Sequence, residues 1–144
     1  MIVVGIDHSD GAKAALRFAL EEARLRRAKL RAVHAWKFDY LEAPGLMRTL
    51  PPGEYETLHS AAEAALDATF KEVGNAEGVE VERRVVQGAP AGVLVEESRG
   101  ADLLVVGSRG LGGFAQLLLG SVSQQCAHHA KCPVVIVRPR SDEE

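Results

Sequence analysis

A basic excess is what this chain most plainly lacks. Its 144 residues carry 17 Lys and Arg against 20 Asp and Glu, a net charge of −3. No electrostatic footprint exists for nucleic acid or an anionic membrane surface, and neither is expected as a partner. Cysteine is scarce: Cys126 and Cys132 cannot make a disulfide framework. No apolar run approaches the ~20 residues of a membrane span. Met1 leads straight into Ile2-Val3-Val4 with no basic segment ahead of an apolar one, so no secretory leader is expected. These absences point to a soluble cytoplasmic protein.

What is there suits a globular fold. Hydrophobic residues make up 47% and charged residues 26%, enough to fold without a partner. The length favours one domain over residues 1–144, burying about two-thirds of its unfolded surface. Ile2-Val3-Val4-Gly5-Ile6 is apolar on both faces and reads as a central strand. Asp10 is a plausible N-cap for a helix whose stripe runs Ala15, Leu16, Ala19, Leu20, Ala23 to about Arg27. Leu30–Trp36 reads as a second strand. Lys37–Pro52 has no clean period; Leu46 and Met47 within it either cover a ligand or pack on the core. Glu54–Val73 is a long helix with Leu58, Ala61, Ala62, Ala65, Thr69 and Val73 as its buried stripe, ended by Gly74. Val79, Val81 and Val85 alternate with charged residues, as a half-exposed edge strand does. Pro90 opens a third helix, closed by Gly100. Leu103–Val106, a helix from Ser121 to about Lys131, and the strand Val134–Val137 follow. Five strands separated by helical stretches give an α/β fold, a parallel sheet with helices on both faces.

The informative stretch is Gly107 to Ser123, where Gly107, Gly110 and Gly120-Ser121 are spaced by two and nine residues. It follows a buried strand and ends at a helix start. Glycines there let backbone N–H groups approach an anion, and the helix terminus adds unpaired N–H groups and the positive end of its dipole. The chemistry suggested is phosphate binding. The plainer alternative is turn punctuation, with Ser121 and Gln124 as a capping box. The long spacing lets two backbone segments converge on one ligand, which a turn does not require. Three common phosphate or hydrolase motifs are missing: the P-loop, a glycine-rich first loop, and the Gly-x-Ser-x-Gly elbow.

The remaining pattern resembles the ATP-binding branch of the universal stress protein family. Gly107-x2-Gly110-x9-Gly120-Ser121 matches that branch's motif at every fixed position. Asp7 stands where the family has an aspartate after its first strand, and His34-Ala35 where it contacts adenine. Gly5 departs from the proline of some relatives. The resemblance implies a doubly wound sheet of order 3-2-1-4-5, with the ligand at the switch point between strands one and four. It implies that Gly110, Gly120, Ser121 and Ser123, with Val122 between them, hold phosphates. Val106 and Gly107 would line ribose and base, and Gly5, Ile6 and Ala35 would pack near adenine. Asp7 would accept from a ribose hydroxyl or face a phosphate-bound Mg²⁺; an aspartate here also serves as a helix cap. Arg109 would neutralise phosphate charge or sit in water.

The function so implied is that of an adenine-nucleotide-binding switch in a stress response, holding ATP, ADP or AMP and acting on an unknown protein partner. The rivals are a slow ATPase or phosphoryl or nucleotidyl transferase at the same site, and a flavin carrier. A homodimer is expected through Val134, Val135, Ile136 and Val137, an uncharged edge that relatives pair. Cys126, His128, His129 and Cys132 fit no standard zinc spacing, so no metal site is read there. His8 and His59 read as solvated, His34 as packed, and Trp36 and Phe114 as core aromatics rather than base-stacking ones.

Overall fold

Ser9 sets where the first helix begins. The computed structural model describes residues 1–7, 9–37, 53–74, 76–108 and 119–140. In it Ser9 has extended backbone and its Oγ accepts the Ala12 N–H at 3.1 Å. It therefore caps α1 (Asp10–Arg26) in place of the expected Asp10. The reason is local: Asp7 Oδ1 accepts from both the backbone N–H (2.9 Å) and the hydroxyl of Ser9, and so holds the hydroxyl over the first turn. Asp10 moves into that turn, where its charge still suits the dipole.

The strands are β1 (Ile2–Gly5), β2 (Leu30–Trp36), β3 (Val81–Gln87), β4 (Leu103–Gly107) and β5 (Val134–Val137). All neighbours run parallel, in the order β3-β2-β1-β4-β5. The doubly wound α/β reading is thus the observed one. The other helices are α2 (Glu54–Val73), α3 (Pro90–Glu97) and α4 (Ser121–His129).

Alternation along the strands divides the core in two. Ile2, Val4, Ile6, Leu30, Ala32, Leu103 and Val105 pack under α1 and α2. Val3, Val33, Leu104 and Val106 pack with Leu94 of α3 and Cys126 of α4 on the other face. The stripe of α2 differs from expectation. Ala62, Leu66, Thr69 and Phe70 are buried, whereas Ala61 is exposed, because the sheet meets a face turned toward Leu66 and Phe70.

The two sheet edges contrast. On β3, Arg83 pairs with Asp67 and lies over the Phe70 ring, and Arg84 pairs with Glu97 at 2.8 Å. On β5, all four apolar residues are half-buried. Trp36 packs edge-on against Tyr55 at 5.3 Å. His59, expected in solvent, stacks on Tyr55 and pairs its Nε2 with Glu63 at 2.9 Å. His8, Leu46, Met47 and Phe114 lie outside the described residues.

Candidate functional site

The switch point opens where β1 stops pairing. Its register with β4 runs to Val4 opposite Val105, and with β2 to Gly5 opposite Val33. One more rung, from Ile6 N–H to the Val33 carbonyl at 2.9 Å, carries the chain toward Asp7. Beyond these residues the chain turns from β1 into α1 while β4 keeps pairing with β5 to Gly107 opposite Val137, so the strand order reverses here, where folds of this kind open a crevice at the carboxyl ends of the strands.

Gly107 borders the crevice at the α1 terminus. A Cβ there would lie 2.9 Å from the carbonyl oxygen of Gly11. Glycine at this position thus serves a close backbone approach. Asp7, two residues beyond the end of β1, is half-buried, with Oδ1 engaged by Ser9.

Ser108 closes the glycine motif. Its carbonyl accepts from Gly120 N–H at 2.6 Å and from Ser123 Oγ at 3.0 Å. Ser123 Oγ also lies 2.9 Å from the Gly120 carbonyl. Ser108 and Ser123 are both buried. Residues far apart in sequence, at the end of β4 and the start of α4, are thereby clamped together.

This closure changes the duties expected at α4. The N–H of Gly120 and the hydroxyl of Ser123 are both taken up by the clamp. The capping box of Ser121 and Gln124 does not form, because Gly120 is the N-cap and Ser121 already lies inside the helix. Gln124 instead donates its N–H to the Gly120 carbonyl at 3.1 Å and its side-chain amide to the Leu119 carbonyl. Among the described residues, the N–H groups of Ser121, Val122 and Ser123 make no backbone hydrogen bond. They are the orphan donors of a helix start, with the positive end of the dipole behind them.

The other candidates fall around the same opening. Ile6 and Ala35 lie at the carboxyl ends of β1 and the neighbouring β2. The Val106 side chain is buried under α3 and α4, so only its backbone reaches the crevice side. Gly5 faces α3: a Cβ there would meet Leu94 Cδ1 at 2.6 Å. Arg109 and Gly110 lie outside the described residues. Ser9 and Ser108 are parts of the arrangement that motif reading does not single out, and the bond from His34 Nδ1 to the Ile6 carbonyl is another. Ser108 acts through its carbonyl, which any residue has.

A doubly wound α/β fold whose glycine motif closes beside its switch point defines the class. The chain belongs to the universal stress protein family, whose family model matches residues 1–138. It is 40% identical over 139 residues to a universal stress protein of Mycolicibacterium smegmatis, covering 96% of this chain and 46% of that protein. It spans about half the length of the curated relatives it matches. A universal stress protein solved in complex with cAMP is 34% identical, with a TM-score of 0.68, covering 95% of this chain and 94% of that one. UspA from Lactobacillus plantarum is 26% identical, with a TM-score of 0.78 and coverage of 95% and 96%. Among the described residues no helix is long and apolar enough to cross a membrane.

Proposed function

We propose that the protein binds an adenine nucleotide in the crevice between β1 and β4 and acts as a nucleotide-dependent switch. The observation that carries this is the clamp from Ser108 to Gly120 and Ser123. It holds the first turn of α4, whose N–H groups make no backbone hydrogen bond among the described residues, against the end of β4, which suits a phosphate. Gly107 and the backbone of Val106 line the ribose, with Asp7 accepting from a ribose hydroxyl. Ile6 and Ala35 pack near the base. The cAMP bound by a relative at 34% identity supports an adenine nucleotide as the ligand class. Where Mg²⁺ accompanies ATP, it is carried on the phosphates, with Asp7 as the carboxylate that faces it. Ligand occupancy then shifts the population of shapes that a partner protein reads.

The test is to denature the purified protein, identify any released nucleotide, and titrate the stripped protein with AMP, ADP, ATP and cAMP by calorimetry. Binding of at least one is expected. No binding of any would overturn the reading. A single-turnover assay on the ATP complex separates a switch, which holds ATP, from an ATPase, which yields ADP.

A further inference from the structure

The end of the β1–β2 ladder is made by a side chain. Residues of β2 alternate in the neighbour their backbone faces. Leu30 N–H donates to Glu80 beside β3 and the Trp36 carbonyl accepts from Gly88, so the even-numbered residues face β3. The Val33 carbonyl accepts from Ile6, so Arg31, Val33 and Ala35 face β1. The next rung would run from Ala35 N–H to the Ile6 carbonyl. Among the described residues that bond is not made. The Ile6 carbonyl is held instead by Nδ1 of His34, at 2.7 Å. A carbonyl only accepts, so Nδ1 carries the proton. His34 is buried, 7% exposed.

We propose that His34 is a positioning residue: by taking the Ile6 carbonyl it ends the ladder one rung early and leaves the Ala35 N–H turned into the crevice as a donor to the base. The inference rests on the adenine-nucleotide reading above for its ligand. A lone N–H donor fits the unprotonated N1 of adenine. Hypoxanthine presents an N1–H at the same place, and two donors repel. The residue thus selects the base while touching only the protein. Nothing in it acts on the phosphates, which are met by α4 on the far side of the crevice.

The experiment compares wild type with His34→Ala and His34→Asn, the asparagine amide N–H standing near the place of Nδ1. Each is titrated with AMP, IMP and ribose 5-phosphate. His34→Ala is expected to lose about tenfold in AMP affinity, the worth of one hydrogen bond. Ribose 5-phosphate affinity should stay unchanged, the preference for AMP over IMP should narrow, and His34→Asn should recover most of the loss. Unchanged AMP affinity, or a parallel fall for ribose 5-phosphate, overturns the inference. A second readout needs no ligand. In His34→Ala the freed Ile6 carbonyl is recaptured by the ladder, so amide exchange at Ala35 should slow relative to wild type. An Ala35 amide already as protected in wild type as that of Val33 overturns the inference. Failure of wild type to bind AMP would instead strike the functional reading.

Discussion

A β-carbon on Gly107 would meet the carbonyl oxygen of Gly11 at 2.9 Å and its carbonyl carbon at 3.0 Å. Both atoms are backbone, at the start of α1, and cannot swing aside as a side chain would. The first glycine of the motif is therefore demanded by packing before any ligand arrives. Gly107→Ala is expected to cost about 1–3 kcal/mol, the range for overpacking. Denaturant unfolding of the nucleotide-free protein measures it. A midpoint equal to wild type would show that α1 can retreat.

Gly120 and Ser123 separate stability from affinity. Gly120 has φ −75° and ψ 168°, a conformation open to any residue. Gly120→Val should therefore keep the fold, while its side chain crowds the α4 donors and weakens nucleotide binding by more than about tenfold. Ser123→Ala removes a buried hydroxyl shared by two carbonyls and should cost about 1 kcal/mol of stability. Calorimetric titration and thermal melts of both variants check this. Equal affinity in a folded Gly120→Val would place the phosphate elsewhere.

The strand order was legible because strand patterning lives in side-chain identity. The two cap errors have one cause: a cap depends on which group is aimed, not merely present. Asp10 reads as a cap until Asp7 is seen to hold Ser9 in place. Ser121 and Gln124 read as a capping box until the Ser108 carbonyl is seen to pull Gly120 into the cap. Of the α2 stripe, Ala62 and Thr69 are buried as read, but Ala61 is exposed and Leu66 and Phe70 were missed, because alanines on two faces blur the period. His34 looked like a packed strand histidine, which it is; the partner of its Nδ1 is a backbone oxygen, invisible to any motif.

The two thiols should differ in reactivity. Burial, with a smaller contribution from nearby Cys132, pushes the Cys126 thiol up to about 11. At pH 8 its thiolate fraction is then about one in a thousand, against about a quarter for an ordinary thiol. Cys132 is half-buried. A disulfide reagent at pH 8 should label Cys132 in the native protein and Cys126 only after denaturation. Equal rates for both would show that α4 opens readily.

The charged edge should make stability depend on acidity. Burial opposes ionisation of Glu82, but the hydrogen bond from Arg31 and the charges of Arg31, Lys29 and Arg84 outweigh it and hold the carboxyl below its usual value. A carboxyl depressed by folding contributes stability that is full above its unfolded pKa, about 4.3, and is lost as the pH falls through the lower folded value. Glu82→Gln should therefore be less stable than wild type at pH 7, by under about 1 kcal/mol for a half-buried pair still screened by solvent. The gap should close in acid. Urea titrations at pH 7 and at successively lower pH test the sign, and a gap that widens on acidification contradicts it.

The last expectation concerns the β5 edge and can be sharpened by strand geometry. Leu104 N–H donates to Pro133, and Ser108 N–H to Val137, so the odd-numbered residues of β5 face β4. The backbone groups of Val134 and Ile136 therefore point outward, with no neighbouring strand in the sheet order. The strand carries no charge to discourage pairing, unlike β3 with Glu82, Arg83 and Arg84. A second copy laid antiparallel about a two-fold axis would satisfy both outward rows, because a symmetric interface is self-complementary. A dimer is expected in solution at micromolar concentration. Ile136→Pro tests it cleanly, since proline removes an outward N–H and leaves the β4 ladder intact. Val135→Lys is the poorer probe: Val135 packs against the α1 and α2 core, so lysine there would damage the fold itself. Sedimentation should show wild type as a dimer and Ile136→Pro as a folded monomer. A wild type that sediments as a monomer sinks the idea, and an Ile136→Pro variant that remains a dimer moves the interface to another surface.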